Sequence, residues 1–317
     1  MGTIAVATVS TRRRRSSSRT DAAIERRWGY AFILPTVAFF IAFVAYPFIR
    51  AAYLSLSRWA GYGTVEFVGF HNFVALTQDP IFWQALRTTI LYTAITTVVQ
   101  TALPLLLAVL LNAGWRGGVL FRTVVFLPAV VSFVVSGILW QMIYEPNFGL
   151  LNRALRAVGL GGLAQGWLAN GTTALPAIMF VSLWMSLGLF MLIYFAGMQG
   201  INPNLYEAAR LDGANSWQQL RYVTVPMLRP ITAVVVTLNM ISGLKVFDIV
   251  YTMTGGGPNH ATEVLGTYLY SIAFGSRTAS IPAIGYGTAV SMVVFVLAMG
   301  AVLFQNWWTR KARDERN

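Results

Sequence analysis

The sequence predicts an all-α integral membrane protein with six transmembrane helices, and three observations carry that prediction. Of the 317 residues, 56% are hydrophobic and only 11% are charged, against roughly 25% charged in a soluble domain. Six stretches are long and apolar enough to cross a bilayer, which takes about 20 residues of helix. The 23 basic residues, all but two of them Arg, gather at the chain ends and in alternate connections, the pattern that orients membrane helices.

The first 29 residues hold Arg12–Arg15, Arg19, Arg26 and Arg27 among Ser and Thr, a composition expected to be disordered. A signal peptide is the rival reading, but no small-residue cleavage site closes an apolar region of the right length. The spans follow in order. Tyr30–Tyr53 holds no charge before Arg50, and Thr88–Leu111 is interrupted only by Gln100 and Pro104. Thr123–Ile143 and Thr173–Ala196 are free of charge; Ile231–Tyr251 contains Lys245 and Asp248; Ala283–Trp308 ends in Trp307 and Trp308, suited to a membrane interface. They define a transmembrane domain over 30–309 and a basic tail over 310–317. Between spans, Leu54–Leu86 forms a Gly-containing loop, and Pro146–Gly171 can hold an amphipathic segment, with Leu150, Leu151, Leu155, Val158 and Leu160 against Arg153 and Arg156. Sixteen Arg and Lys fall on the side of the termini and six on the other, which places both ends in the cytoplasm of a prokaryotic cell.

One connection is not a simple loop. Asn202 can cap a helix with Pro203 at its first position, and Gly213 is a natural left-handed terminus for it. Ser216 with Gln219 reads as a second capping box, and Pro226 and Pro230 close that second helix. Small Ala208 and Ala209 would let another backbone approach, with Glu207 beside them. A solvated helical loop, in which Glu207 pairs with Arg210, fits the same residues.

The pattern Glu207-Ala208-Ala209, three residues, Gly213, nine residues, Val223, one residue, Val225-Pro226 resembles the EAA loop of ABC importer permeases. Two apolar anchors, Ile and Leu in the family, are both Val here. FRTVVFLPAVVSFVVSGILWQMIYEPNFGLLN (121–152) and FDIVYTMTGGGPNHATEVLGTYLY (247–270) are similar to segments of the maltose-type, carbohydrate-uptake branch. The likeness covers residue 28 to the end, most specifically 121–270. It implies a MetI-like permease fold in which the loop over 202–226 is a coupling helix seated in a separate ATPase, through Glu207, Ala208, Ala209, Gly213 and Pro226. It further implies a second permease subunit, a different chain in this branch, along with two ATPase subunits, an extracytoplasmic solute-binding protein, a sugar or glycoside as substrate, and alternating access as mechanism.

The chain has no Cys, which removes thiolate metal sites and Cys nucleophiles, and His71 and His260 are far apart. No metal site or catalytic cluster is expected. No G-x-x-x-x-G-K-[ST] cradle exists for a nucleotide, so if ATP drives transport, ATP and Mg²⁺ belong to a partner and this chain is not itself an enzyme. The basic residues form no single face for nucleic acid. Lys245 and Asp248, three apart in a span, are expected to form a structural ion pair or to line a path. Asn239 lies near mid-depth on a stripe with Ser242 and Val246. The family resemblance implies sugar contacts here and in the preceding span, at Asn239, Ser242, Gly243 and Val246, with Ser186 and Phe190 opposite. Ordinary helix packing accounts for the same residue types. The alternative function, a secondary transporter driven by an ion gradient, calls for carboxylates in several spans and an inverted repeat; the spans hold one carboxylate and no visible repeat.

Overall fold

A computed structural model describes the backbone of residues 19–112, 117–275 and 283–314, with side chains over 28–112, 117–275 and 283–307. The chain groups into two compact units, Met1–Tyr53 and Leu54–Asn317.

In the first unit, α1 (Arg19–Phe40) runs through a π-helical turn at Ile41–Ala45 into α2 (Tyr46–Ser55). The turn has a local cause. Tyr46 N–H bonds to the Ile41 carbonyl, five residues back, and the next residue, Pro47, has no N–H to continue the ordinary ladder. Residues 19–29, expected as disordered, are helical from Arg19; Ala22 and Ala23 are the strongest helix formers in that stretch. Residues 1–18 lie outside the described residues.

The second unit begins with a two-stranded ribbon, β1 (Ser57–Arg58) against β2 (Glu66–Phe67). Next come α3 (His71–Gln78) and α4 (Pro80–Asn112), then α5 (Gly118–Phe126), α6 (Phe133–Ile143), α7 (Leu150–Ala157) and α8 (Gly171–Gln199). Beyond them lie α9 (Pro203–Leu211), α10 (Ser216–Gln219), α11 (Val225–Met227), α12 (Arg229–Leu244), α13 (Asp248–Met253), α14 (Leu265–Phe274) and α15 (Ile284–Asp314). Trp28–Ser55, α4, α8 and Ile284–Trp307 are each long and apolar enough to cross a membrane, and two bent pairs bring the number to six. The last helix runs on to Asp314, so residues 310–314 of the expected tail extend it, and 315–317 lie outside the described residues.

Two spans are not the straight helices the sequence suggested. The third bends by 102° between Gly118–Val130 and Phe133–Ile143. Pro128 sits in a 3-10 turn over Leu127–Val130, Val131 is extended, and Ser132 starts α6 afresh by accepting from Val135 N–H at 3.3 Å. The fifth stops at Leu244 and resumes at Asp248.

The core is the face shared by α4, α8 and α12. Tyr92, Ile178, Val181 and Met185 pack with Ile249 and Val250 of α13 at one end; Met191, Tyr194, Leu228 and Val235 fill the other. Three threonines inside this face are satisfied by their own helix: Thr89, Thr93 and Thr96 each return a hydroxyl to the carbonyl four residues back, all at 2.7 Å, a bond that removes a donor from the apolar interior. A third cluster joins α4, α14 and α15 through Phe82, Ala85, Leu265, Tyr268, Ala289 and Val290. At its edge Asp79 caps α4, accepting from Ile81 N–H at 2.8 Å and Phe82 N–H at 3.3 Å, and also receives the phenol hydroxyls of Tyr268 and Tyr286. Burial pushes the Asp79 carboxyl up, but those hydrogen bonds outweigh it and hold the group below its ordinary range.

Candidate functional site

The hairpin over 202–226 folds as its caps dictate. Asn202 accepts from Asn204 N–H at 3.0 Å, with Pro203 at the first helical position. α9 then ends in a Schellman closure: Gly213 N–H bonds to Arg210 O at 3.0 Å and Ala214 N–H to Ala209 O at 2.8 Å. Gly213 stands at φ +81° with open space around the position of a Cβ, so a left-handed backbone, not crowding, demands glycine there. The second helix starts one residue before the expected place. Asn215, not Ser216, is the cap: its side chain accepts from Gln218 N–H at 2.9 Å and Gln218 Oε1 accepts from Asn215 N–H at 2.8 Å. An Asn amide caps as well as a Ser hydroxyl, and the box closes with Gln218 in place of Gln219.

Pro226 does not close that helix. A π turn over Leu220–Thr224 precedes it, with Val225 N–H bonded to Leu220 O. This is the device seen before Pro47, and it carries the helix across a residue with no N–H. The run Ser216–Met227 then meets α12 at 70°, around Leu228, which is wholly buried. Glu207 and Ala208 are exposed and Ala209 half-buried; no ion pair joins Glu207 to Arg210 among the described residues, and Arg210 Nε instead donates to Tyr206 O at 3.3 Å. The hairpin also presents Leu211, 89% exposed, and Trp217, 64% exposed; helical periodicity alone does not tell an exposed apolar side chain from a core one.

A cavity of about 510 Å³ lies among α4, α8, α12, α13 and the bend of the third span. All six pathway candidates line it: Asn239, Ser242, Gly243, Val246, Ser186 and Phe190. They differ in character. Phe190 is also part of the core. Gly243 is where α12 touches α4, since a Cβ there would lie 2.8 Å from Thr93 Oγ1. Ser186 Oγ donates to Ser182 O at 2.9 Å. Asn239 is only 2% exposed, yet neither atom of its amide has a hydrogen-bond partner among the described residues. Leaving a buried amide unpartnered costs about 1–3 kcal/mol for each unpaired group. Tyr92, Thr96, Gln100 and Ser182 add to the polar lining, with Tyr92 OH donating to Ser182 Oγ at 2.6 Å. Gln100 stands in the sequence only as an interruption of a span; its place in the same cavity as Asn239 comes from the packing of α4 on α12.

Lys245 and Asp248 do not form the expected ion pair. The salt bridges among the described residues are Arg58–Glu66 and His260–Glu263. The reason is the break in the span: Lys245 is the C-terminal cap of α12 and Asp248 the first residue of α13, so three residues of separation no longer put them on one helical face. Each meets the favourable end of a helix dipole instead, a cation at a C-terminus and an anion at an N-terminus. Both are exposed and both line the cavity.

Comparison with known proteins adds three findings. Residues 100–314 match the family described as Binding-protein-dependent transport system inner membrane component. Among curated relatives, the "Probable ABC transporter permease protein YurN" of Bacillus subtilis (strain 168) is 38% identical over 90% of this chain and 97% of its own length. The "Lactose transport system permease protein LacF" of Rhizobium radiobacter is 34% identical over 90% of this chain and 94% of its own. Among solved structures, a bacterial ABC transporter involved in the import of the acidic polysaccharide alginate superimposes with a TM-score of 0.79, at 28% identity over 93% of this chain and 99% of that chain. A second structure, of bacterial alginate ABC transporter in complex with alginate pentasaccharide-bound periplasmic protein, gives the same TM-score.

Proposed function

This chain belongs to the binding-protein-dependent transport inner membrane components, the permeases of ABC importers, and from that premise we propose that it forms half of the translocation path for a carbohydrate. The observation that carries the proposal is the continuity between hairpin and cavity. α12 leaves the hairpin at the 70° bend and carries Asn239 ten residues from Arg229, about 15 Å along the same helix. A displacement of α9 and α10 is therefore passed through the wholly buried Leu228 to the helix that presents Asn239 and Ser242 to the cavity.

In this reading ATP and Mg²⁺ are held by two partner ATPase subunits, and Glu207, Ala208, Ala209, Gly213 and Pro226 form or support the seat of this chain in one of them. A second permease, a different chain, supplies the other wall of the path. A soluble binding protein delivers the ligand from the far side, and both termini face the cytoplasm, as the Arg asymmetry requires. Opening and closing of the ATPases rocks the spans between outward- and inward-facing states. The free amide of Asn239, with Ser242, Ser186 and Gln100, offers hydrogen bonds to hydroxyl edges, and Phe190 offers a ring to a sugar's apolar face. The identities of the relatives support a carbohydrate: lactose for one and alginate for another.

The test is ATP-driven uptake by the assembled importer in proteoliposomes, with lactose and an alginate oligosaccharide as probes, each delivered by the cognate binding protein. Uptake of either, dependent on ATP and lowered about tenfold by Asn239→Leu, supports the reading. Binding-protein-stimulated ATP hydrolysis with uptake of neither, while an amino acid or peptide enters, overturns the carbohydrate assignment.

A further inference from the structure

A second cavity, of about 690 Å³, lies away from the first, between the C-terminal end of α6, the N-terminal end of α8 and the short helix α7. Its walls are Trp140, Trp167 and Phe180 with Leu150, Leu151 and Pro176; Thr172, Thr173 and the phenol of Tyr144 are its polar members. The site is built, not incidental. Asn152, 1% exposed, fixes α7 by donating to Pro146 O at 3.1 Å and Gln165 O at 2.9 Å and by accepting from Trp167 Nε1 at 2.8 Å. Trp140 meets Phe180 edge-on at 5.4 Å between ring centroids.

The depth of this groove matches one leaflet. From Thr172 to Phe180 the wall on α8 spans eight residues, about 12 Å, against a half-thickness of about 15 Å for the hydrocarbon core. Its indoles stand at the end of the spans where interfacial Trp belongs. Two of its apolar lining residues are exposed, Leu150 at 66% and Phe180 at 52%, which water would not favour but an acyl chain would. Charge supplies the rest. Arg153 is exposed and lies one turn from Leu150, so it flanks the groove face of α7. The neighbouring Arg156 is turned away, donating to Pro146 O at 3.3 Å and Asn147 O at 3.4 Å. The one carboxylate of the loop, Glu145, is occupied by Asn147 N–H at 2.7 Å and Phe148 N–H at 2.6 Å.

We propose that this groove binds an acyl chain of an anionic glycerophospholipid, in the leaflet opposite the hairpin, with the lipid phosphate against Arg153. An apolar slot one leaflet deep, Trp in its wall and a guanidinium flanking it together favour such a molecule over a neutral detergent or a polypeptide helix. The lipid would brace α7 against α6 and α8, and so the outer end of the bent third span.

The test uses the intact importer, purified and placed in nanodiscs of phosphatidylglycerol or phosphatidylethanolamine, each doped with its own analogue bearing a diazirine on the acyl chain. The expected result is photolabelling of peptides containing Trp140 or Phe180, stronger from phosphatidylglycerol. Arg153→Gln should lower the phosphatidylglycerol yield about fivefold, the effect of one basic residue at a lipid surface, and leave the phosphatidylethanolamine yield unchanged. Ala154→Trp, on an exposed position of the wall, should block labelling by both. Equal labelling by the two lipids in wild type and Arg153→Gln, or no label in the groove, overturns the proposal. So does a Leu150→Cys variant whose thiol cross-links to another protein chain, because a partner subunit then covers the site.

Discussion

The two interruptions that frame α12 differ in what makes them. At the hairpin the helix is broken by local chemistry: Asn202, Gly213 and Asn215 supply caps and a left-handed turn, and the segment keeps its shape with little buried against it. At Lys245–Phe247 the helix is broken by its surroundings. No Gly or Pro stands among these three residues, and the backbone is held where Gly266 allows Val246 O to approach to 2.6 Å of a would-be Cβ. The first break is exposed and self-contained; the second lies beside a cavity and depends on α14. A surface that must engage a partner is best specified locally, because its form cannot depend on contacts that change during transport. A path through the membrane is instead assembled from several helices, and its shape can change when they move.

The largest effect should come from disturbing the local break. Gly213→Asp puts a side chain at φ +81°, a strain of roughly 1–2 kcal/mol, with open space around it, so the protein should still insert. Transport should fall roughly a hundredfold, toward the upper end of typical site-to-site coupling, and Glu207→Lys should act in the same direction. Uptake and co-purification of the ATPase are measured in the same membranes. Wild-type values for both would detach the hairpin from the coupling reading.

Asn239→Leu tests the assembled path. Losing the amide should lower flux about tenfold, the equivalent of one good hydrogen bond to the substrate. Because neither amide atom has a hydrogen-bond partner among the described residues, the same change should leave thermal stability equal or raise it by about 1 kcal/mol. A fall in stability with normal uptake per folded molecule would make Asn239 a packing residue instead.

The contrast also explains what could be read in advance. Span number and the caps at Asn202 and Gly213 were legible because hydropathy and cap chemistry act over a few residues. Five of the six pathway candidates share one cavity because they lie on α8 and α12, which pack together, and Val246 joins them from the break after α12. The 102° bend of the third span was not legible beyond a lone Pro128, and the presence of Gln100 and Tyr92 in the same cavity as Asn239 depends on how α4 lies against α12 and α8. Nor was the clamp at Asp79, whose Tyr partners stand 189 and 207 residues away.

That clamp gives a smaller, pH-dependent effect on the opposite side from the hairpin. The folded carboxyl of Asp79 lies below its ordinary value of 3.8, so its stabilisation is complete above about pH 5 and is lost as pH falls through the folded value. Thermal stability of the purified complex should therefore be flat from this source between pH 5 and 8. Asp79→Asn should cost about 1–2 kcal/mol at neutral pH, from the weakened cap and phenol bonds, and flatten the decline seen below pH 4. An unchanged acid limb in the variant would assign that decline to other carboxylates.

The smallest expected effect is the most discriminating for the break at Lys245. Were Lys245 and Asp248 a buried pair on one helix face, removing either would strand the other and cost about 3–5 kcal/mol. They are instead exposed, on separate helices, and not bridged. Lys245→Met and Asp248→Asn should each leave the folded amount within about 0.5 kcal/mol of wild type, and the double variant should show no coupling beyond about 0.3–0.5 kcal/mol. Both side chains line the cavity, so any change should appear in which substrates pass, charged against neutral, and not in expression. A double-mutant cycle on thermal stability, run beside uptake of lactose and of an alginate oligosaccharide, separates the two cases. A coupling energy of several kcal/mol would restore the ion pair and make the break at 245–247 a feature of one conformational state.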